Sequence, residues 1–458
     1  MSLPRPLKAA LLYFAVAFGA GFALGAARVL WLAPRIGARA AELVEMPLLL
    51  GVGFAAAAWI VRRFALEPRP GPRLGMGLAA LALLLAAELA LVAPLRGLSA
   101  QYPAAPDPVT AAAYYTALAL FALLPLFVPP AVPLRRRMLA ALVAVVAAVP
   151  AGVSYESYRR ELALERLRVS VGSELVQTAC GPIEFASRGE GPVLLVVHGA
   201  GGGYDQGLDL AGSLAGPGLR VVAMSRFGYL RTPLPADASP GAQADAHACL
   251  LDALKIGRAA VLGVSAGAPS ALQLALRHPA RVTRLVLLVP LAYAPSEGRK
   301  MEISPAARFM YEWGIKSDLL FWVAAKAAPA TVVRTVLGTP PGLLERAAPE
   351  ERSRVEEIAR HILPVSERQA GLLNEARIAA SLARYDLGRI AAPTLVLSAA
   401  DDLYGTYESG RYTAQQIPGA RFVGYPDGGH ALVGRNAQAL TEIKAFLGAR
   451  GSMGAVKP

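Results

Sequence analysis

The sequence predicts an α/β fold, a doubly wound and mostly parallel sheet with a helical cap, preceded by a transmembrane α-helical bundle of about five spans. Three observations carry this prediction. Long uncharged apolar runs are confined to residues 1–160. From about residue 170 onward, short Val- and Leu-rich runs alternate with helix-length stretches, the pattern of parallel strands buried on both faces. Between residues 291 and 390 that alternation stops and only helix-like stretches follow.

The composition points to a membrane rather than to nucleic acid. Of the 458 residues, 55% are hydrophobic and 17% are charged, whereas soluble proteins have about 45–50% and about 25%. Residues 1–160 hold fifteen Lys and Arg against six Asp and Glu, out of a net charge of +13 for the whole chain. Charges placed between apolar runs orient spans and contact lipid headgroups. Because aromatic and basic residues are not interleaved in a patch, we expect membrane lipids and no nucleic acid as partners.

Five apolar stretches approach the ~20 residues that a membrane-spanning helix needs. They are residues 9–27, 46–61, 74–94, 108–134 and 138–155. A signal peptide is the competing interpretation of the first stretch, but further spans follow it. Loops on the side of the N-terminus hold nine Lys and Arg and the opposite loops hold four, a bias that favours a cytoplasmic N-terminus. We therefore predict a multi-pass protein of a bacterial-type inner membrane, with its C-terminal part on the extracytoplasmic side.

These patterns divide the chain into domains. Residues 1–135 are expected to form four spans, and residues 136–168 a fifth span and a polar connector. An α/β core is expected over residues 169–290 and 391–450, interrupted by a helical cap at 291–390. An insertion of this size is expected to cover the carboxyl-terminal edge of the strands, where open α/β sheets bind ligands.

Eight short apolar segments are the predicted strands of the core. They are Leu175–Thr178, Ile183–Ser187, Val193–Val197, Leu219–Met224, Ala259–Val264, Leu285–Val289, Thr394–Ser398 and Arg421–Tyr425.

The strand that ends at Val264 runs into Gly263-Val264-Ser265-Ala266-Gly267, and a helix is expected to follow. Two glycines flanking a serine permit a turn so tight that the hydroxyl is lifted clear of the sheet. Taken alone, this five-residue pattern also occurs by chance in glycine-rich turns. Whether this serine is a candidate nucleophile therefore depends on the residues found in other segments of the chain.

Three further segments follow strands and complete a chemical pattern. His198-Gly199-Ala200-Gly201-Gly202-Gly203 leaves backbone N–H groups accessible, as an oxyanion-stabilising loop requires. Asp402 and His430 each follow a later strand. A serine hydroxyl becomes a nucleophile when an imidazole takes its proton and a carboxylate orients that imidazole. Because parallel strands end at one edge, Ser265, Asp402 and His430 are expected to converge.

Residues ~170–447 resemble the α/β-hydrolase superfamily in H-G-x-G-G at 198–202, S-R-F-G-Y at 225–229, G-x-S-x-G at 263–267, the acid at 402 and G-G-H ending at 430. The resemblance implies Ser265 as nucleophile, His430 as general base and acid, and Asp402 as orienting acid. It also implies Ala200 and Ala266 as donors of the oxyanion-hole N–H groups. The acid loop departs from the pattern, since Ala399 stands where many members carry Gly and Asp401 adjoins Asp402.

Four further residues are expected to border the substrate pocket: Gly199, Gly201, Arg226 and Phe227. For Arg226 and Phe227, a purely structural turn is an equal alternative. No His pair has metal-ligand spacing, so neither a metal nor another cofactor is expected. Cys180 and Cys249 lack such spacing too. A disulfide between them would require a location outside the cytoplasm, and the favoured interpretation is two separate buried thiols.

The resulting hypothesis is a membrane-anchored serine hydrolase that cleaves an ester or related acyl bond through an acyl-enzyme on Ser265. An apolar, small-molecule acyl substrate is the expected partner. The alternatives are a carbon–carbon or amide hydrolase, and a hydrolase-like ligand-binding sensor or scaffold coupled to the membrane spans.

Overall fold

The structure is a computed structural model that describes residues 4–33, 38–88, 108–128, 154–295 and 313–448. The chain forms two compact units. One comprises Met1–Glu161 with Lys326–Pro329, and the other comprises Leu162–Ala325 with Ala330–Pro458. Nearly all of the predicted fifth span, from residue 138 to residue 153, lies outside the described residues.

The first unit is helical where it is described. Its main helices are α1 (Arg5–Ala27), α2 (Ala38–Arg63), α3 (Pro70–Ala87) and α4 (Pro108–Leu123). Among the described residues, three helical stretches are long and apolar enough to cross a membrane: Arg5–Leu32, Val44–Arg63 and Pro70–Ala87. The apolar helix Ala113–Phe127 is shorter. The apolar helices therefore suggest a membrane region, but they support only part of the predicted five spans.

An eight-stranded mixed sheet lies at the centre of the second unit, in the order β1-β2-β4-β3-β5-β6-β7-β8. Strand β2 pairs antiparallel with both β1 and β4, and the other neighbouring strands pair parallel. The strands are β1 (Glu174–Thr178), β2 (Gly181–Arg188), β3 (Val193–Val197), β4 (Arg220–Met224), β5 (Ala259–Val264), β6 (Val282–Leu288), β7 (Thr394–Ala399) and β8 (Arg421–Tyr425). Each overlaps a strand expected from the sequence, because short apolar runs of about four to eight residues between turn residues are typical of strands.

Helices cover both faces of this sheet. Along β3, Leu195 and Val197 pack into one hydrophobic cluster, and Leu194 and Val196 pack into another on the opposite face, as the two-residue period of a strand requires. Helix α5 (residues 154–170) precedes β1. The helices that follow within the core are α6 (Tyr204–Ala211), α7 (Pro240–Ala253), α8 (Ala268–Arg277), α14 (Thr406–Gln416) and α15 (Asn436–Gly448). The first cluster takes in residues of α7 and α8, and the second takes in residues of α6 and α15. The fold is therefore doubly wound.

The segment between β6 and β7 is helical where it is described, from residue 313 to residue 390, and we call it the helical insertion. It contains α9 (Asp318–Ala327), α10 (Pro329–Thr335), α11 (Pro341–Arg346), α12 (Pro349–Arg360) and α13 (Gln369–Ala380). Trp322 and Arg368 are among its fully buried side chains. A fully buried arginine needs strong partners, and those partners bear on the functional site.

The two cysteines correct one expectation from the sequence. Cys180 and Cys249 form a disulfide, with their Cα atoms 6.0 Å apart, so the interpretation of two separate buried thiols is wrong. Cys180 lies in the exposed turn between β1 and β2, and Cys249 lies on α7 and is only partly buried. The sequence places these residues in different elements, but it does not show that the β1–β2 hairpin lies against α7.

Candidate active site

Ser265 lies on a sharp turn between β5 and α8. Its φ of 48° is in the left-handed region, which is uncommon for a residue with a side chain. At both flanking glycines there is no room for a side chain. A Cβ on Gly263 would lie 2.6 Å from the Cβ of Ala271, and a Cβ on Gly267 would lie 2.4 Å from the carbonyl oxygen of Val197. The glycine pattern of the sequence thus reflects close packing around a strained, partly buried serine.

The structure brings Ser265, His430 and Asp402 together in one hydrogen-bonded chain. The hydroxyl of Ser265 lies 2.8 Å from Nε2 of His430. The other ring nitrogen, Nδ1, donates to Oδ2 of Asp402 at 2.7 Å. Because a carboxylate only accepts, Nδ1 carries the proton and Nε2 is free to accept from the serine. This is the geometry that a serine nucleophile and its general base require.

The carboxylate of Asp402 is fully buried and held by several donors. The backbone N–H of Tyr404 donates to Oδ1 at 2.8 Å, and the hydroxyl of Thr406 donates to Oδ2. The neighbouring Asp401 has a different role, since its Oδ1 accepts the backbone N–H of Gly429 at 2.7 Å. Asp402 therefore contacts the histidine side chain, whereas Asp401 ties down the loop that carries it.

The glycine-rich loop after β3 lies directly beside the serine. A Cβ on Gly199 would lie 3.1 Å from the Cβ of Ser265. Gly201 has a φ of +69°, and a Cβ there would lie 3.4 Å from Ile362 of the helical insertion. Ala200 lies between these glycines and is exposed. Ala266 is the second residue of a 3₁₀ turn, and the first N–H groups of a helix have no partner within it.

Arg226, on the loop after β4, holds backbone groups of both segments. It is buried, and its guanidinium donates to the carbonyl oxygens of Ala266 at 3.1 Å and Gly199 at 3.2 Å. The carboxylate of Glu375 on α13 forms an ion pair with the same guanidinium. Phe227 is also buried, and its N–H donates to Gln243 at 2.7 Å. Because Arg226 is engaged by protein atoms, its expected place at the border of a substrate pocket stays a prediction, as does that of Phe227.

His198, the first residue of the glycine-rich loop, is fully buried. Its Nε2 accepts the backbone N–H of Arg226 at 2.9 Å, and its Nδ1 donates to the carbonyl oxygen of Gly199 at 2.7 Å. Burial, reinforced by the charge of Arg226, holds the pKa of His198 well below its ordinary value. The ring is therefore neutral and links the loops after β3 and β4.

Several residues that support the site were missed in the sequence. Glu375 and Arg368 come from the helical insertion, where isolated charges are typical of an exposed helix face. Thr406 is a single hydroxyl on α14, and nothing in its neighbourhood marks it. A signal did exist for Gln206, whose Oε1 accepts the N–H of Gly199 at 2.8 Å, since polar side chains near the start of a helix often accept backbone N–H groups.

The comparisons with known proteins agree with this architecture. Residues 192–436 match the family model described as the alpha/beta hydrolase fold. The chain belongs to the α/β-hydrolase fold family. It is 31% identical over 259 residues to a putative carbamate hydrolase of Klebsiella pneumoniae, an alignment covering 55% of this chain and 89% of that protein. It is 39% identical over 104 residues to a 2-hydroxymuconate semialdehyde hydrolase of Pseudomonas putida, covering 22% of this chain and 37% of that protein.

A solved α/β-hydrolase fold protein from Nakamurella multipartita is similar to this chain at 30% identity. The alignment covers 60% of this chain and 99% of that structure, with a TM-score of 0.46.

Proposed function

We propose that this protein is a membrane-anchored serine hydrolase that cleaves an ester or related acyl bond through an acyl-enzyme on Ser265. One observation carries the proposal, namely the hydrogen-bonded chain from Ser265 through His430 to the buried Asp402. A ligand-binding domain has no physical need for a strained serine in contact with a correctly protonated imidazole. Membership of the hydrolase-fold family supports the same reaction class.

In the proposed reaction, Oγ of Ser265 attacks the carbonyl carbon while Nε2 of His430 takes the hydroxyl proton. The carbonyl oxygen becomes an oxyanion, which the N–H groups of Ala200 and Ala266 stabilise. The imidazolium, stabilised by Asp402, then gives its proton to the leaving group as the C–O bond breaks. A water molecule repeats the sequence on the acyl-enzyme, releasing the acid and restoring the serine.

We propose an apolar acyl group as the substrate's reacting part. Ile362 of the helical insertion lies against Gly201, beside Ala200. An apolar side chain at this position favours an aliphatic group over a charged one. A membrane anchor would also bring the enzyme close to lipid-like compounds.

We propose a multi-pass location in an inner membrane, with the hydrolase unit on the extracytoplasmic side. The three apolar helices and the Lys and Arg bias of the loops support it. The disulfide between Cys180 and Cys249 supports the same side, because disulfides persist in oxidising compartments. A C-terminal alkaline phosphatase fusion should be active and a C-terminal green fluorescent protein fusion dark. The opposite pair of results would place the hydrolase unit in the cytoplasm.

The names of two relatives favour a second candidate. One is a 2-hydroxymuconate semialdehyde hydrolase and the other a putative carbamate hydrolase. A carbon–carbon or amide-type bond is therefore the alternative substrate class. It uses the same three residues, so it must be separated from ester hydrolysis by substrate and not by mutation.

The test is hydrolysis of p-nitrophenyl esters, from acetate to long acyl chains, by detergent-solubilised full-length protein and by Ser265→Ala. We expect turnover that depends on chain length and falls to background in the variant. A fluorophosphonate probe should label the wild type and the control Ser381→Ala, whose serine is exposed on another element, but not Ser265→Ala. Folded protein that is labelled yet inactive on every ester would favour the second candidate. Folded protein that is neither labelled nor active would contradict serine catalysis.

A further inference from the structure

The glycine-rich loop beside Ser265 is held at both ends by side chains from outside the loop. At one end, Oε1 of Gln206 accepts the N–H of Gly199 at 2.8 Å. At the other end, Arg368 donates to the carbonyl oxygen of Gly202 at 2.6 Å. Ala200, whose N–H is the proposed oxyanion donor, lies between these two fixed points. Its orientation therefore depends on Gln206 and Arg368, together with Arg226 and His198, which hold the carbonyl oxygen of Gly199.

Arg368 is itself fixed by a carboxylate. Its side chain is fully buried, and its guanidinium contacts both oxygens of Asp205, at 3.1 Å and 2.8 Å. Such a two-point contact fixes the plane of the guanidinium as well as its position. Asp205 and Gln206 are neighbours in the first turn of α6, so this one turn determines both fixed points of the loop.

The first turn of α6, which carries Asp205, is hydrogen-bonded to the end of α5. Arg168 donates to Oδ2 of Asp205 at 2.7 Å and to Glu165 at 2.6 Å. The same guanidinium lies 3.2 Å from the carbonyl oxygen of His361 in the helical insertion. The hydroxyl of Tyr204, next to Asp205, donates to the carbonyl oxygen of Val171 at 3.0 Å. Two consecutive residues of α6 are thus anchored on the end of α5 and on Val171 just after it.

The charge arrangement explains why Asp205 needs two cations. Burial alone would raise the pKa of Asp205, but Arg368 and Arg168 outweigh that effect and hold the pKa well below its usual range. A buried carboxylate deprived of one cation is poorly compensated and moves toward the other or toward water. Either movement would shift Arg368 and, with it, the carbonyl of Gly202.

We propose that Arg168 is a positioning residue for the glycine-rich loop, acting through Asp205 and Arg368 on the oxyanion donor Ala200. Arg168 lies outside residues 192–436, which match the hydrolase-fold family. The support of the loop thus includes a residue of the second unit that precedes β1. The inference rests on the proposed function, because it concerns the transition state of that reaction.

Full-length Arg168→Met is the variant that tests this. Losing an oxyanion-hole donor outright costs about 10²–10³ in kcat, so a displaced donor should lower kcat by roughly 10-fold. KM should change by less than about 2-fold, because the donors act on the oxyanion and not on the bound ester. A trifluoromethyl ketone, which forms a tetrahedral adduct with the serine, should bind about 10-fold more weakly. Arg168→Lys keeps a cation beside Asp205 and should recover most of kcat.

The matched control is Arg277→Met, which removes an arginine paired with both oxygens of Asp245 at 3.0 Å and 2.6 Å on another part of the core. It should leave kcat and the ketone affinity unchanged. If Arg168→Met is folded and has wild-type kcat, or if Arg277→Met loses as much, the inference is overturned. If Arg168→Met does not fold, Arg168→Gln replaces it, because an amide can still donate to Asp205 while the cation is lost. A folded Arg168→Gln with wild-type kcat would then contradict the proposal.

The failure of this inference is distinct from the failure of the proposed function. A wild-type protein that neither turns over esters nor reacts with the fluorophosphonate contradicts the proposed function. An active wild type with an equally active Arg168→Met contradicts only the role of Arg168.

Discussion

Replacing Asp402 by Asn should disable His430 without altering the shape of the site. One carboxylate oxygen of Asp402 accepts the N–H of Tyr404, and the other accepts Nδ1–H of His430. An amide has only one oxygen. If that oxygen stays on Tyr404, the NH₂ group faces His430, and Nδ1 must become an acceptor. The proton then moves to Nε2, and His430 can no longer accept the proton of Ser265.

The alternative amide orientation is costly. It keeps the productive tautomer of His430 but turns the NH₂ group toward the backbone N–H of Tyr404, so that the partly buried hydrogen bond to Asp402 is lost and two donors face each other. That costs about 1–3 kcal/mol, so only a small fraction of Asp402→Asn molecules would hold the productive tautomer. The variant also lacks the negative charge that stabilises the imidazolium. Together these effects should lower kcat on the order of 10³–10⁴-fold, which corresponds to about 4–5.5 kcal/mol.

Asp401→Asn is the matched control for this prediction, because it makes the same chemical change one residue away. Its amide oxygen can still accept the N–H of Gly429, the contact that Asp401 makes, so kcat should fall by less than about 10-fold. The assay is steady-state p-nitrophenyl ester hydrolysis, with Ser265→Ala as background and thermal unfolding as a check of folding. Equal losses in the two variants, or a folded Asp402→Asn within 10-fold of wild type, would refute the reasoning.

Three further predictions follow, two on the stability of the fold and one on the turn that carries Ser265. Burial lowers the pKa of His247 to about 3. Between pH 7 and pH 5 the unfolded chain therefore binds a proton at His247 that the folded chain does not bind, and the free energy of unfolding should fall by about 2 kcal/mol. In chemical unfolding, His247→Gln should remove this part of the pH dependence. Cys180→Ser and Cys249→Ser should each destabilise the fold by about 2–4 kcal/mol. The double variant should be destabilised no more than either single variant. Two reactive thiols in the denatured wild type would disprove the disulfide. Gly267→Ala should abolish fluorophosphonate labelling by clashing with backbone oxygens at the end of β3, whereas Gly257→Ala, where a Cβ would meet open space, should label normally.

The strands and the serine turn were predictable from the sequence because their signals are local. A buried parallel strand is a short apolar run between turn residues, and each of the eight expected runs overlaps an observed strand. The glycines around Ser265 are likewise imposed by atoms within a few ångströms. Counting along the chain from Pro393 favours Asp402 over Asp401 as the partner of His430. The geometry places Asp402, and not Asp401, against the imidazole.

The supporting residues were not predictable in this way, because their roles depend on which distant elements meet. Arg368 lies 163 residues from Asp205 along the chain, and Glu375 lies 149 residues from Arg226. The sequence around a single arginine or glutamate on a helix of the insertion does not show whether its side chain is buried in an ion pair or exposed to solvent. The disulfide was misjudged for the same reason, since its cysteines are 69 residues apart. Local sequence patterns therefore predict the proposed reacting groups, whereas the residues that hold them in position emerge only from the tertiary contacts.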